Sequence, residues 1–263
     1  KKEIAKGVSL MPYQIKSVNH AIGVENSANF SVPGSGKTWM AYATYKKLKE
    51  EGLVEKLLVV SPLSAFRPWE NEYLEIFGEE PNSYRIKSNK ISRLHNYLDE
   101  HEIFLVSYKT AANYRENLIH VLNHNKFLMI CDESHYIKNP MAERTIAALE
   151  IAPYAKCRMV LSGTPMPQSP EDLWSQFTFL YPSQRLLGSF SNYKDNIEVM
   201  GFQKIKKILE PIYTRVSLNE LDLPEPVYQR TSVEMASLQR NIYDAIAQTI
   251  IKNKDHEIDW REN

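Results

Sequence analysis

The chain has 263 residues, with 32 basic and 32 acidic side chains that give a formal net charge of +0. Hydrophobic residues make up 43% and charged residues 24%, which is enough apolar material to bury the core of one large or two small domains. The balanced charge excludes a global attraction to nucleic acid or to a membrane surface, although a local basic groove is compatible with it.

No apolar run approaches the ~20 residues that a bilayer span requires, so we expect no membrane partner. The two cysteines, Cys131 and Cys157, lie in apolar runs typical of buried strands, which indicates structural thiols rather than a disulfide or a metal site. No signal peptide is recognisable at the amino terminus. We therefore expect a soluble protein of a reducing compartment: cytoplasmic or nucleoid-associated, or nuclear in a eukaryote.

The first predicted helix follows Leu10 and carries Pro12 in its first turn, where proline is favoured. Gln14 lies near its start. A glutamine amide both donates and accepts hydrogen bonds, so it can recognise the edge of an adenine. The alternative is a solvated glutamine on a helix surface.

A short run that we interpret as an apolar strand leads into Ser31-Val32-Pro33-Gly34-Ser35-Gly36-Lys37-Thr38. The glycines Gly34 and Gly36 can adopt backbone angles that point amides at an anion, and the helix starting near Lys37 adds its positive dipole end. Lys37 would reach terminal phosphates and the Thr38 hydroxyl would hold magnesium. Ser31 stands where the full Walker A pattern has glycine, and a glycine-rich turn with a surface lysine is the alternative.

Strand and helix patterns alternate after this loop. Predicted strands with mainly apolar sequences cover residues 56–62, 103–108, 127–131 and 158–161, and 83–86 is a candidate short strand. The predicted helices cover 37–51, 64–77, 91–100, 110–123 and 142–149. We interpret the aromatic residues of the second of these helices, including Trp69, as core. The pattern predicts an α/β fold: a parallel sheet with helices on both faces, with ligands at the carboxyl ends of its strands.

The pattern changes after Pro165. Ser169 and Pro170 predict a helix start with a serine cap. Shorter helices are predicted at 189–197 and 202–209, an extended connector at 223–226, strand character at 228–235 and an amphipathic helix at 238–250.

Asp132 and Glu133 directly follow a buried apolar strand. An aspartate here could hold magnesium, usually through water, and the next carboxylate could orient or deprotonate an attacking water. We interpret Asp132 as the magnesium residue and Glu133 as the residue that acts on water. The alternative is a strand-end acidic pair that caps a turn.

The order of these motifs resembles helicase superfamily 2. Four motifs occur in the order found in that family: Tyr13-Gln14, Gly34-Ser35-Gly36-Lys37-Thr38, Asp132-Glu133-Ser134-His135 and Ser162-Gly163-Thr164-Pro165. Two further stretches are similar to the Swi/Snf-type DNA translocases: Trp69-Glu70-Asn71-Glu72 and Lys138-Asn139. The resemblance covers residues 8 to 250. It implies the first RecA-like lobe of an ATP-dependent translocase on double-stranded DNA.

The family implies roles at matching positions. Gln14 would contact adenine; Gly34, Ser35, Gly36, Lys37 and Thr38 would hold ATP and magnesium; Asp132 and Glu133 would serve the metal and the water. Ser162 and Thr164 would couple the nucleotide to the DNA track, and His135 would help to link the two sites unless it is a structural histidine. Ser61, Pro62, Ser107 and Tyr108 would lie along the nucleic-acid groove.

The chain departs from the family in several places. Ser31 replaces the usual first loop residue, the acidic stretch before the loop is absent, and Ser134 stands where alanine is commoner. Nothing after residue 216 resembles the family's second lobe. We expect residues 1–182 to form the ATP-binding lobe and 183–263 a helical protrusion and connector towards a second lobe, with Arg215 matching a family arginine. A chain without that lobe should bind nucleotide weakly and hydrolyse it poorly.

Two other functions stay open. One is an RNA helicase or a restriction-type motor subunit, which the Asp-Glu-x-His box alone permits. The other is a catalytically silent nucleic-acid-binding module that has kept the fold.

Overall fold

The computed structural model describes residues 3–5, 8–183, 186–221, 229 and 231–252. The chain divides into a large unit, Lys1–Leu223, and a small one, Pro224–Asn263. The predicted division between residues 182 and 183 stays a prediction; the large unit continues past it. In the described part of the chain, none of the helices combines the length and the apolar character needed to span a membrane.

The strands in chain order are β1 (Glu3–Ala5), β2 (Val8–Ser9), β3 (Asn26–Asn29), β4 (Lys56–Ser61), β5 (Ser83–Arg85), β6 (Ile103–Ser107), β7 (Phe127–Asp132), β8 (Cys157–Leu161) and β9 (Tyr213–Thr214). The first two pair antiparallel. The other seven form one sheet in the order β5-β6-β4-β7-β8-β3-β9, in which every pairing is parallel. The predicted parallel sheet is confirmed.

The α-helices of the large unit are α1 (Pro12–Val24), α2 (Lys37–Glu50), α3 (Phe66–Phe77), α4 (Tyr108–Asn113), α5 (Arg115–His124), α6 (Glu143–Ile151), α7 (Asp172–Leu180), α8 (Phe190–Met200) and α9 (Phe202–Leu209). Short 3-10 segments cover Leu63–Ala65, Ser88–Tyr97, Ser134–Ile137, Ala152–Tyr154, Glu210–Ile212 and Leu218–Glu220. The small unit contributes α10 (Ser237–Lys252), on which Leu238 and Ile242 are exposed.

Two hydrophobic clusters cover the two faces of the sheet. Alternate residues of a strand enter opposite clusters: in β4, Leu57 and Val59 pack with α1–α3, while Leu58 and Val60 pack with the cluster that includes α4–α9. This alternation follows from the two-residue period of a strand and explains why strands buried on both faces are apolar throughout. The prediction of helices on both faces is confirmed.

The strand that enters the phosphate loop corrects one prediction. It is not apolar: β3 reads Asn-Ser-Ala-Asn and is buried at all four positions. Its two asparagine side chains are hydrogen-bonded: Asn26 Oδ1 accepts from the Arg158 amide at 2.9 Å and Asn29 Oδ1 accepts from the Ser31 amide at 3.1 Å. Hydrogen bonds therefore make burial of these amides tolerable.

Other elements also differ from prediction, and the helix predicted at 110–123 is divided at Tyr114 into α4 and α5. Residues 88–97 are 3-10 rather than α-helical. Helix α7 begins at Asp172, three residues after the predicted serine cap, and the Asp172 carboxylate accepts from the Gln168 and Ser169 amides instead. Of the predicted strand at 228–235, residues 229 and 231–235 have no regular structure, and the connector at 223–226 lies outside the described residues.

Candidate nucleotide site

The phosphate loop has the backbone geometry expected of an anion cradle. Gly34 and Gly36 have φ angles of 80° and 78°, in the left-handed region where a side chain is disfavoured. Gly36 caps the amino end of α2, so the helix dipole points at the cleft. The Ser35 hydroxyl is buried and has no hydrogen-bond partner among the described residues. A buried free donor beside an anion cradle fits a phosphate oxygen.

Lys37 is the first residue of α2, and its ammonium group folds back over the loop. Its Nζ lies 3.1 Å from the Ser31 carbonyl oxygen and 3.5 Å from that of Val32. Burial lowers the pKa of Lys37, and the nearby Glu133 and Asp132 charges oppose that shift. The cation therefore lies between the loop and the acidic pair.

Ser31 has a structural role that the sequence did not suggest. Its side chain is fully buried, and its Oγ accepts a hydrogen bond from the Val216 amide at 3.0 Å. Two backbone bonds flank it, from the Phe30 amide to the Thr214 oxygen and from the Val32 amide to the Val216 oxygen. The departure from glycine therefore anchors β9 and the residues after it to the start of the phosphate loop.

Gln14 lies against the same loop. It is buried, with Oε1 accepting from the Met11 amide at 2.9 Å and Nε2 donating to the Ser35 carbonyl at 3.1 Å. The alternative of a solvated helix glutamine is therefore wrong. Its contact with adenine stays a prediction.

Asp132 ends β7 with both carboxylate oxygens held. Oδ2 accepts from the Trp69 indole at 2.8 Å and Oδ1 from the Glu133 amide at 2.9 Å. Burial raises the pKa of Asp132, while the bond from Trp69 opposes that shift. Glu133 has a φ of 49°, a left-handed angle that is rare for a residue with a side chain and is often found at functional sites. Its Oε2 lies 3.3 Å from His135 Nδ1.

One cleft of about 810 Å³ brings these residues together. Its lining includes Gln14, Gly34, Gly36, Lys37, Thr38, Asp132 and Glu133. Helix α3 and the residues before it supply part of the opposite wall, including Ser64, Pro68 and Glu72. The structure thus gathers at the carboxyl edge of the sheet the residues that the sequence predicted for nucleotide and metal binding.

The box around Glu133 is joined to the segment around Ser162 through a residue that the sequence analysis missed. Gln176, on α7, is fully buried; its Oε1 accepts from the Ser134 hydroxyl at 2.6 Å, and its Nε2 donates to the Pro165 carbonyl at 2.7 Å. The Ser162 amide donates to Asn29, beside the phosphate loop. A buried polar bridge whose groups are hydrogen-bonded makes the connection between the two segments more rigid. No motif in the sequence singles out Gln176.

The predicted coupling residues differ in accessibility. Ser162 is buried and its Oγ accepts from the Thr164 amide at 3.1 Å, whereas Thr164 is exposed. A Cβ on Gly163 would lie 3.0 Å from Pro33 Cδ, so this turn packs directly on the phosphate loop. Their role in coupling stays a prediction.

The residues predicted for the nucleic-acid groove do not form one open surface. Ser61, Ser107 and Tyr108 are buried. Ser107 caps α4, and the Tyr108 hydroxyl donates to the Asp132 carbonyl at 2.7 Å. Pro62 lines the nucleotide cleft. Tyr108 therefore helps to hold the backbone of the acidic box through the Asp132 carbonyl. Its contact with nucleic acid stays a prediction.

Arg215 follows β9 and is exposed. It lines a cavity of about 120 Å³ beside Phe30 and Phe177, away from the nucleotide cleft.

Sheet, phosphate loop and acidic box together define a nucleotide-binding lobe with a RecA-like α/β fold. A family model described as "SNF2-related domain" matches residues 13–262. The chain belongs to the SNF2-related domain family.

Curated relatives are similar over much of this chain. "ATP-dependent helicase fft2" of Schizosaccharomyces pombe is 24% identical over 292 residues, covering 100% of this chain and 22% of that protein. "DNA annealing helicase and endonuclease ZRANB3" of Bos taurus is 30% identical over 187 residues, covering 70% of this chain and 17% of that protein. The chain thus spans about a fifth of the length of these relatives.

A solved structure is similar over almost the whole chain. The "Sulfolobus solfataricus SWI2/SNF2 ATPase core in complex with dsDNA" superposes with a TM-score of 0.70 at 26% sequence identity. The match covers 97% of this chain and 55% of that one.

Proposed function

We propose that this chain is the ATP-binding motor lobe of a DNA-dependent ATPase that translocates on double-stranded DNA. One observation carries the proposal: the lining of a single cleft contains a phosphate loop with its lysine together with the adjacent Asp132 and Glu133. Membership of the SNF2-related domain family supports it.

The residues of the cleft suit distinct steps of ATP hydrolysis. The loop amides and Lys37 would bind and orient the phosphates, and Lys37 would stabilise negative charge that develops on them. Glu133 would orient the attacking water or take its proton, and its Oε2 lies 3.3 Å from His135 Nδ1. Gln14 keeps one amide hydrogen and one carbonyl lone pair beside its bonds to Met11 and Ser35, and these would recognise adenine.

The donor set of the cleft also fits a magnesium ion. Magnesium prefers oxygen ligands and is commonly held by one or two side chains together with nucleotide phosphates. The Thr38 hydroxyl and the Asp132 carboxylate supply such oxygens in the lining of the cleft. When bound, the ion would neutralise charge on the phosphates.

The proposed partners are double-stranded DNA and a second lobe of the same protein. The DNA proposal is supported by the Sulfolobus protein, whose core is described in complex with dsDNA. The second lobe is supported by the partial coverage of the relatives and by the match of Arg215 to a family arginine. We propose a nuclear location if the protein is eukaryotic, and a cytoplasmic or nucleoid-associated one otherwise.

Steady-state ATP turnover of the full-length protein tests this function. Turnover should be measured without nucleic acid, with duplex DNA and with structured RNA, the two nucleic acids being present at the same concentration of backbone phosphates. We expect stimulation by duplex DNA. Stimulation by RNA alone would assign the protein to the RNA helicases, and nucleic-acid binding without turnover under any condition would assign it to the silent binding modules.

A further inference from the structure

We propose that Trp69 and Glu72 are positioning residues for the cation that accompanies the nucleotide. They lie three residues apart on α3, so they share one face of that helix. Trp69 would fix the Asp132 carboxylate, and Glu72 would fix the Thr38 hydroxyl. The inference rests on the proposed function, because it concerns the same cleft.

Trp69 controls the direction of Asp132. The indole donates to Oδ2 while the Glu133 amide donates to Oδ1, so each carboxylate oxygen has one fixed donor and keeps a further lone pair for another partner. Outer-shell hydrogen bonds of this kind orient metal-binding carboxylates.

Trp69 is itself held firmly. It is 1% exposed, and its ring meets that of Tyr42 edge-on with centroids 5.1 Å apart. The Tyr42 hydroxyl donates to the Trp69 carbonyl at 2.9 Å. Because Tyr42 lies on α2, one turn after Thr38, these contacts fix the distance between α3 and the helix that carries the threonine.

Glu72 would orient the second proposed cation ligand, the Thr38 hydroxyl. Its half-buried carboxylate lines the cleft together with Thr38 and Asp132. A threonine hydroxyl that offers a lone pair to a cation must direct its hydrogen to an acceptor. Since the remaining lone pairs of Asp132 are assigned to the cation, Glu72 is placed to accept that hydrogen.

The other glutamate near this turn behaves differently. Glu70 accepts from Arg85 on the neighbouring strand β5 and from the Ser83 hydroxyl, and it does not line the cleft. One α3 carboxylate thus secures the sheet edge and another faces the nucleotide cleft. The contrast provides a matched control on the same helix.

The inference is tested by calorimetric titration of the protein with ADP in two buffers, one that contains magnesium and one that contains EDTA. The readout is the ratio of the two ADP affinities, which isolates the contribution of the cation. Loss of an outer-shell partner typically lowers metal affinity by about 10- to 100-fold. We expect Trp69→Phe and Glu72→Ala each to reduce the ratio by about tenfold while changing ADP affinity in EDTA by less than about twofold.

Controls separate positioning from packing. Trp174→Phe removes an indole hydrogen bond outside the cleft, to the Gly188 carbonyl at 3.2 Å, and Glu70→Ala removes the neighbouring carboxylate. Both should keep the wild-type ratio. Glu72→Gln retains an oxygen acceptor and should recover most of the loss seen in Glu72→Ala.

The outcomes distinguish this inference from the proposed function. A wild-type ratio near one would contradict both, because no cation would then assist the nucleotide. A large wild-type ratio that Trp69→Phe and Glu72→Ala leave unchanged would overturn the inference alone, even if those variants melt earlier. If Glu72→Gln is no better than Glu72→Ala, the acceptor role of Glu72 is wrong.

Discussion

At the scale of single residues, Gly34 and Gly36 have almost the same φ but different surroundings. A Cβ at Gly34 would meet nothing within 4 Å, whereas one at Gly36 would lie 2.4 Å from Gln14 Nε2. That amide group is hydrogen-bonded at both ends, so it cannot move away without losing a bond. Gly36 is therefore constrained by contact as well as by backbone angle.

This contrast predicts the effect of alanine at each position. Gly34→Ala should cost about 1 kcal/mol of unfolding free energy from the left-handed backbone alone. Gly36→Ala should cost about 1 kcal/mol more, since it also breaks a Gln14 hydrogen bond. Urea denaturation of the two variants measures the difference. Equal losses of unfolding free energy would show that the contact with Gln14 does not contribute to the cost of Gly36→Ala.

The hydroxyl of Ser31 leads to a second prediction. Ser31→Ala would leave the buried Val216 amide unpartnered and should cost about 1–3 kcal/mol of unfolding free energy. Hydrogen exchange at Val216 should accelerate. Ser61→Ala is the matched control, because Ser61 is equally buried but donates only to its neighbour Pro62 at 3.3 Å. Equal costs for both serines would contradict the anchoring role.

At the scale of elements, Arg158 joins strand β8 to two neighbouring segments. Its guanidinium donates to the carbonyls of Leu180, Ala152 and Ala155, at 2.8 to 2.9 Å. These bonds close the carboxyl end of α7 and the 3-10 turn after α6. Burial lowers the pKa of Arg158, and the three carbonyls compensate for placing that charge inside the protein.

Arg158→Met should therefore destabilise the large unit by about 2–3 kcal/mol, because buried carbonyls lose a charged donor. The comparison is Arg115→Met, which removes a surface pair with Glu150 in which both side chains are more than 40% exposed. That change should cost less than about 1 kcal/mol. Thermal denaturation of both variants checks the ranking; a smaller loss for Arg158→Met would contradict it.

The elements also show how much the sequence could predict. The strands buried on both faces were visible as apolar runs, because each of their side chains enters one of the two cores. The prediction of an apolar strand at β3 is wrong, because this buried strand carries polar side chains and its two asparagines are hydrogen-bonded. Ser-Pro at 169–170 predicts a helix start, but residues 170–171 form a turn and α7 begins at Asp172, whose carboxylate accepts from the Gln168 and Ser169 amides.

The site residues that belong to short sequence motifs could be predicted from the sequence. The residues whose role depends on contacts between distant parts of the chain could not. Lys37, Asp132 and Glu133 follow from short patterns, and the structure places them in one cleft. Trp69 was interpreted as core; its ring is indeed buried, but its N–H direction depends on how α3 packs. The contacts of Gln176 and Ser31 span 42 and 185 residues, which no local pattern reveals.

At the scale of the whole molecule, the chain covers about a fifth of the relatives to which it is similar. The proposed second lobe would complete the nucleotide site. An arginine supplied across such a cleft is worth about 10³ to 10⁵ in rate in related phosphoryl transfer. The 263-residue chain alone should then hydrolyse ATP at least about 10³-fold more slowly than the full-length protein. Equal turnover by the two would contradict a contribution from outside this chain.

In the proposed function, the phosphate loop and the acidic pair form one ATP-hydrolysing site. ATP turnover by the full-length protein with saturating duplex DNA tests it most directly, comparing wild type with Lys37→Ala and Glu133→Gln. We expect each variant to lose at least about 100-fold in turnover, because a charge stabiliser or the residue acting on water is removed. Wild-type turnover in both variants would contradict the account.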